Sequence, residues 1–205
     1  MHPILTEQQI DKLDDIFDTD KASALRRMLK PGLFRKSTLP IDAVDKKGKG
    51  LLSIAAFNNA VKCMKVLLDA GADINAGSPT CPTPLHYALS NNHTECARLL
   101  LERGASPDAE PSPGYTPLHE AATASPECLN LILRYGVRIN VREEESGMTP
   151  LMKCARYGLP ACAEILLRHG ANPDIRNNEG QTALEIASKR GAIGIARILK
   201  KAVEA

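Results

Sequence analysis

Short runs of apolar residues at helical spacing divide the chain into many brief helices separated by polar turns. The first runs predict two helices between Thr6 and Leu29, with Thr6 as N-cap and a break at Asp18–Asp20. Pro31 and Gly32 are predicted to stop the second helix. Their apolar faces consist of Ile10, Leu13, Ile16 and Phe17, and of Ala22, Leu25, Met28 and Leu29.

From about residue 45 onward the pattern predicts helix pairs, each with a short first helix, a tight turn, a longer second helix and an extended loop. The second helices carry aliphatic runs at Val66–Leu68, Leu99–Leu101, Ile165–Leu167 and Ile198–Leu199. The turn inside each pair has a residue that tolerates a left-handed helix C-cap: Asn59, Asn92, Gly158 and Gly191. A second set of glycines predicts a tight turn at each loop tip: Gly48, Gly114, Gly147 and Gly180.

A four-residue block opens the first helices and sets the period of the chain. Thr83-Pro84-Leu85-His86 recurs 33 residues later as Thr116-Pro117-Leu118-His119. Altered copies follow at the same interval, at Thr149–Met152 and Thr182–Glu185, and a degenerate copy precedes them at Gly50–Ser53. Threonine is a good N-cap and proline suits the first helical position. Leucine is expected in the core, and histidine is expected to bond back to the threonine.

The 33-residue period and the Thr-Pro-Leu-His block resemble the ankyrin-repeat family, over roughly Asp45 to the C-terminus. The resemblance implies an all-α solenoid of stacked helix-turn-helix units with β-hairpin-like loops. Residues 1–43 are interpreted as an N-terminal helical cap, a degenerate repeat. The five repeats are expected at 44–76, 77–109, 110–141, 142–175 and 176–205, the last serving as the C-terminal cap.

The third repeat departs from the pattern. It is one residue short between Ala122 and Cys128, and Ser125-Pro126 replaces the usual asparagine or glycine turn. We expect Ser125 to cap the second helix, with Pro126 at its first position. One extra residue in the Glu143–Glu145 loop restores the spacing.

Composition and charge limit the function classes. The 205-residue chain has a formal net charge of +2, which argues against a dedicated nucleic-acid binder. No apolar run approaches the ~20 residues that cross a membrane, and the N-terminus lacks the features of a signal peptide. We therefore expect an intracellular protein, in the cytoplasm with the nucleus as a second location.

The six cysteines follow the repeat. Four occupy one equivalent position on the second helices: Cys63, Cys96, Cys128 and Cys162. Stacked helices lie about 8–10 Å apart, too far for a disulfide, so we expect a column of buried thiols. A metal site is the alternative, but the close cysteine spacing of zinc sites is missing. Cys154 is expected in the core, and Cys81 is expected to be exposed in a loop.

No catalytic motif is present: the chain has no phosphate-binding glycine loop, nucleophile elbow or His-Glu-x-x-His pair. The resemblance implies non-catalytic binding of a partner protein along the concave face of the stack, as scaffold, adaptor or inhibitor. An alternative is the target-recognition subunit of an enzyme complex, such as a ubiquitin ligase, with activity supplied in trans. A purely structural array is a third reading. We expect a monomer that needs no cofactor or metal.

Carrying the family's binding positions onto this sequence gives the candidate residues. They are Lys46, Lys47, Lys49, Tyr115 and Met148 at the loop tips, and Phe57, Tyr87, Arg156, Tyr157, Lys189 and Arg190 on the first helices. The aromatic and arginine residues of this set are types that often contribute most to interface energy. The first tip is basic, the Glu143–Glu145 tip is acidic, and the last two first helices are basic. We therefore expect a partner segment with acidic residues at both ends and apolar anchors between them.

Two loop asparagines, Asn75 and Asn140, resemble sites of asparaginyl hydroxylation in ankyrin repeats. The alternative, which we favour, is that each side chain bonds the loop backbone.

Overall fold

A computed structural model describes residues 2–29 and 39–204. The described residues form twelve α-helices, and the chain divides into two compact units, Met1–Ser106 and Pro107–Ala205. The pairing of strands is limited to isolated bridges in the loops of this part of the chain. The predicted all-α class is confirmed, whereas the predicted helix stop at Pro31 and Gly32 lies outside the described residues.

The first unit contains three helix pairs: α1 (Glu7–Asp18) with α2 (Ala22–Leu29), α3 (Leu51–Phe57) with α4 (Val61–Asp69), and α5 (Pro84–Ser90) with α6 (Thr94–Glu102). First helix α3 packs on α5, and second helix α4 packs on both α2 and α6. The N-terminal pair thus joins the stack mainly through its second helix, α2.

The second unit repeats this arrangement with α7 (Pro117–Ala124) and α8 (Pro126–Leu133), α9 (Pro150–Tyr157) and α10 (Pro160–Arg168), and α11 (Ala183–Lys189) and α12 (Ile193–Val203). First helix α9 lies between α7 and α11, and second helix α10 lies between α8 and α12. Within each unit, the core consists of aliphatic, alanine and cysteine side chains at the interfaces between neighbouring pairs.

The block residues behave largely as predicted. Thr83, Thr116 and Thr149 are extended N-caps followed by proline at the first helical position. The expected histidine-to-threonine bond is present at His86, whose Nδ1 lies 2.8 Å from the Thr83 hydroxyl, and again at His119. His119 also donates from Nε2 to the Met148 carbonyl at 3.2 Å. This bond ties α7 to the loop before the next first helix.

The predicted turns are confirmed. Asn59 and Asn92 have left-handed φ values of 56° and 58°, and the corresponding glycines are left-handed too. In the shortened third repeat, Ser125 ends α7 and caps α8 by accepting from the Cys128 amide at 3.2 Å. One residue therefore replaces the separate turn of the other repeats.

The N-terminal pair is locked to the repeats by an aspartate. Thr6 caps α1 in a reciprocal arrangement with Gln9, as predicted for this position. Asp20 occupies the turn between α1 and α2, with φ of 48°. Its carboxylate accepts from the amides of Lys62 at 3.0 Å and Cys63 at 2.8 Å, which caps the start of α4.

All six cysteines are free and buried, and the second-helix column is confirmed as buried thiols. The prediction that Cys81 is exposed is wrong: its side chain is 5% exposed. A bridge between Ser78 and Cys81 folds the loop back, so that the Cys81 thiol donates to the Lys47 carbonyl at 2.9 Å. Burial raises the pKa of the Cys63 and Cys96 thiols to about 12.

Candidate protein-binding surface

The candidate surface is formed by three register positions of each repeat: the residue before the block, and the fourth and seventh residues after its first position. The fourth and seventh positions are three residues apart, so they project from one side of the first helix. We call these positions the first-helix face. In the first unit it consists of Lys49, Ile54, Phe57, Pro82, Tyr87 and Ser90. In the second unit it consists of Tyr115, Glu120, Thr123, Met148, Lys153, Arg156, Gln181, Ile186 and Lys189.

In the first unit, a lysine lies against two aromatic rings. The Lys49 ammonium is 4.5 Å from the centroid of the Phe57 ring and 4.6 Å from that of Tyr87. The two rings meet edge to face, with centroids 6.2 Å apart. Both distances are within the range of cation–π attraction. The structure therefore brings together three residues that the sequence analysis named separately.

The loop tip beside this cluster is held by Asp45. Its carboxylate accepts from the backbone amides of Lys47 and Lys49, each at 2.8 Å. Burial, with smaller contributions from Cys81 and Asp45, raises the pKa of the Tyr87 hydroxyl. The cluster thus has a fixed backbone and a neutral phenol, while the Phe57 ring is 45% exposed.

The three predicted basic tip residues are in different environments. Lys46 forms an ion pair with Glu7, with 2.6 Å between Nζ and Oε1. Lys49 faces the aromatic rings, and Lys47 is exposed. The first tip is therefore less basic than its sequence indicates, because one of its charges is matched by a carboxylate from α1.

In the second unit, the face carries an ion pair. Lys153 on α9 bonds Glu143 at 2.7 Å, and the two side chains are only 21% and 14% exposed. The second oxygen of Glu143 accepts from the Ser146 hydroxyl at 2.6 Å. Burial alone would raise the pKa of Glu143, but the bonds from Lys153 and Ser146 and the Lys153 charge hold it below the usual range.

The sequence indicated that Glu143 belongs to an exposed acidic tip, but its side chain is instead largely buried. Glu144 and Glu145 are exposed, and their backbone carbonyls accept from the Asn178 side chain at 2.9 and 3.2 Å. The predicted run of three surface carboxylates is reduced to two, because the third turns inward to meet Lys153.

Glu120 lies on α7 beside this ion pair and is half-buried. Burial raises the pKa of its carboxyl; the Lys153 charge opposes the rise and the Glu143 charge adds to it. The Tyr115 ring stacks on His119 with centroids 6.2 Å apart, and the Lys153 ammonium is 5.9 Å from its centroid. Burial lowers the pKa of His119, which keeps its imidazole neutral beneath the tyrosine.

The remaining candidates divide into one buried and several exposed residues. Met148 is only 4% exposed, so its side chain is not available at the surface. It is covered by Arg156, whose guanidinium nitrogen is 3.6 Å from the Met148 sulfur. Tyr157, at the C-terminal end of α9, is 60% exposed. Lys189 and Arg190 are exposed at the end of α11.

The loop asparagines bond backbone groups. Asn75 Oδ1 accepts from the Ser106 amide at 2.8 Å. Asn140 Oδ1 accepts from the Asn172 amide at 2.9 Å, and its Nδ2 donates to Gly170 at 3.4 Å. Each asparagine therefore links its own loop to the loop of the following repeat, which is the role that we favoured from the sequence.

Glu120 and Lys153 were missed by the sequence analysis. A usable signal was present, because they occupy the register position of Tyr87, at intervals of 33 residues. The register position alone did not identify them, because neither side chain is of the aromatic or arginine type that is typical of interfaces.

The described residues include neither a metal-binding cluster nor a membrane-spanning helix. No group of three or more His, Cys, Asp or Glu side chains in residues 2–29 and 39–204 is arranged to hold a metal ion. Across the same residues, every helix is too short or too polar to cross a membrane.

The comparison with protein families agrees with the geometry. A family model described as ankyrin repeats, in three copies, matches residues 52–143 and 124–205, which together cover more than half of the chain. A search of curated proteins found no match. Ankyrin repeats generally mediate protein–protein interaction, and the fold is typically a non-catalytic interaction module. The chain belongs to the ankyrin-repeat family.

Proposed function

We propose that this protein is a non-catalytic interaction module, a scaffold, adaptor or inhibitor, that binds a partner protein through its first-helix face and loop tips. The observation that carries the proposal is the cluster of Lys49, Phe57 and Tyr87 in the first unit. The chain has only three phenylalanines and four tyrosines, and this cluster places two of them side by side at the surface.

The cluster suits binding for energetic reasons. Aromatic side chains bury a large area for few rotatable bonds, and they often dominate interface energies. A ring that is already held by a neighbour loses little further freedom when a partner covers it. Covering Phe57 would remove apolar surface from water while Lys49 keeps its contact with both rings.

The second unit supplies further candidates with similar chemistry. Tyr157 is the most exposed tyrosine of the described residues, and Arg156 lies beside it with its guanidinium over Met148. The cations of Lys189 and Arg190 follow on the next first helix. These residues favour a partner segment with apolar side chains and carboxylates. We further propose that the protein acts inside the cell, in the cytoplasm with the nucleus as a second location.

Affinity purification from a cell lysate, followed by mass spectrometry, tests the proposal. The full chain is compared with Phe57→Glu, which places a charge on the first-helix face, and with Tyr157→Glu, which places one beside Arg156 of that face, at the end of α9. Tyr135→Glu is the matched control, because Tyr135 is 40% exposed just after second helix α8. We expect a protein that the wild type and the control retain and whose recovery falls at least ten-fold with Phe57→Glu and with Tyr157→Glu.

Equal retention by all four chains would place binding elsewhere and contradict the proposal. An enzyme recovered with the wild type, in a complex that acts on a further protein, would instead assign the chain as a target-recognition subunit. Circular dichroism and thermal unfolding of each variant separate loss of binding from loss of fold.

Asn75 and Asn140 are retained as candidate modification sites. Hydroxylation would add one oxygen to a side chain that already links two loops. Peptide mass spectrometry of protein from cells that contain an asparaginyl hydroxylase distinguishes the modified residue from an unmodified structural asparagine.

A further inference from the structure

We infer that the patch formed by Tyr115, Glu120, Glu143 and Lys153 binds an arginine side chain of the partner protein. This inference rests on the proposed function and goes beyond it by naming a basic residue of the partner and its place on the second unit. We call these four residues the Glu120 patch.

The first step is the charge of the patch. It contains two carboxylates and one ammonium group. The ammonium of Lys153 is bound to Glu143 at 2.7 Å, and the other oxygen of Glu143 accepts from Ser146. One half-buried negative charge, that of Glu120, is therefore left over. Complementary charge for this patch is a cation.

The second step is the state of Glu120. Among the described residues, no hydrogen bond or ion pair reaches its carboxylate, although the side chain is half-buried on α7. A carboxylate that is partly removed from water and has no bonding partner costs free energy in the unbound protein. Such a cost persists in proteins where function requires the group, and a donor supplied by a partner would recover it.

The third step selects arginine over lysine. First helices α7 and α9 pack side by side, and Glu120 and Lys153 occupy the same register position on them. The Tyr115 ring lies within 5.9 Å of the Lys153 ammonium, so an aromatic surface adjoins the charged groups. A guanidinium group can bond a carboxylate through two N–H groups and can stack on an aromatic ring. A lysine ammonium bonds a carboxylate as a point charge, without the paired geometry, and it contacts a ring without a planar group to stack on it.

Other groups of the described residues offer no additional binding chemistry. The thiols are buried, and the cations of α11 repeat the chemistry of the proposed function. The Glu120 patch has a net negative charge and therefore favours a basic side chain of the partner. The rest of the face favours acidic and apolar side chains. The inference therefore predicts a partner segment of mixed charge.

The test uses a displayed library of random twelve-residue peptides selected on the full chain. Selected peptides are synthesised, and their affinities are measured for the wild type, for Glu120→Gln and for Glu127→Gln. Glutamine keeps the shape of the side chain and removes its charge. Glu127 is an exposed glutamate at the start of second helix α8 in the same repeat, which makes it the matched control.

We expect selected peptides to share an arginine whose replacement by lysine weakens binding to the wild type about ten-fold. Glu120→Gln should weaken binding of the arginine peptide by a similar factor and binding of the lysine peptide less, since an ammonium makes only a point-charge contact with the carboxylate. This coupling in a double-mutant cycle is something that a general change in stability would not produce. Glu127→Gln should bind as the wild type does.

Peptides that lack a shared arginine, or that bind wild type and Glu120→Gln equally, overturn the inference, and so does a selection that yields no peptide dependent on Glu120. Binding that Tyr157→Glu abolishes and Glu120→Gln leaves intact would sustain the proposed function while removing the arginine site. The two ideas therefore fail separately.

Discussion

Glu120 and Glu143 both interact with the charge of Lys153, but the pKa values of their carboxyl groups shift in opposite directions. Glu143 bonds the lysine directly and has a lowered pKa, whereas Glu120 has a raised pKa because burial is not offset by a bond. A lowered carboxyl pKa means that the charged form favours the folded state, and a raised one means the reverse. Two glutamates on one patch thus have opposite effects on stability at neutral pH.

Replacing each of these glutamates by glutamine should change stability in opposite directions. At pH 7, Glu143→Gln should lower the free energy of unfolding by about 1–3 kcal/mol, since it weakens a charged hydrogen bond. Glu120→Gln should raise it by about 0.5–1 kcal/mol, since it removes a desolvated charge.

The pH dependence follows from the direction of each pKa shift. The stability due to Glu143 is present above the unfolded pKa of about 4.3 and is lost as pH falls through its lower folded pKa. The cost of Glu120 is absent below about pH 4 and complete above its raised folded pKa. Urea unfolding of both variants across this range measures the two effects. Destabilisation by Glu120→Gln at pH 7 would show that its carboxylate has a stabilising bond.

At the scale of single residues, the sequence predicted contacts that recur in each repeat, but it did not predict burial that depends on the fold of one particular loop. The histidine-to-threonine bond was predictable because the block recurs with a fixed geometry. The burial of Cys81 and Met148 was not, because each depends on how one loop folds. The inward turn of Glu143 likewise depends on the lysine at position 153, which no local pattern connects to it.

At the scale of elements, two loop tips that look equivalent in sequence have different surroundings. Gly114 and Gly180 both have left-handed φ values, of 72° and 75°. A Cβ at Gly114 would overlap the carbonyl group of Arg142, whereas a Cβ at Gly180 would have no heavy atom within 4 Å. The first tip is packed against the following loop, and the second is open.

Alanine substitutions at these two glycines should therefore differ in cost. Gly180→Ala should lose about 1 kcal/mol, because only the left-handed backbone is strained. Gly114→Ala should lose about 1–3 kcal/mol more, because the loop backbone must also move. Thermal and urea unfolding of the two variants provide the comparison. Equal losses would mean that the Gly114 loop adjusts without strain.

Most elements could be predicted because the period assigns each residue a position in a known unit. Even the exception in the third repeat was predictable, since Ser125-Pro126 carries its own capping chemistry. The lock between Asp20 and α4 was not predicted, because the two segments lie 43 residues apart and share no block. Long-range contacts of this kind depend on packing that single-sequence patterns do not contain.

At the scale of the whole molecule, the cysteines report on the intactness of the fold. All six thiols are buried, and the pKa of both Cys63 and Cys96 is raised to about 12. Because the thiolate is the reactive form, these groups should react very slowly in the folded protein.

We expect Ellman's reagent at pH 8 to detect fewer than one thiol in the first minutes with native protein. Six thiols should be detected in guanidinium chloride. The slow reaction of the native protein should follow the rate at which the fold opens and exposes each thiol. Fast reaction of one thiol would identify a local opening, with Cys81→Ser as the control that tests the loop between α4 and α5.

The contact of Lys49 with two rings also affects how this lysine meets small reagents. An ammonium group covered by Phe57 and Tyr87 is shielded from acylating compounds, whereas the neighbouring Lys47 is exposed. The extent of acylation at Lys49 divided by that at Lys47 therefore reports whether the two rings stay together. A partner that separates the rings would raise this ratio, and one that covers the intact cluster would lower it. Acylation of Lys49 thus reports partner binding at this cluster, and it can be measured in a mixture without purifying the complex.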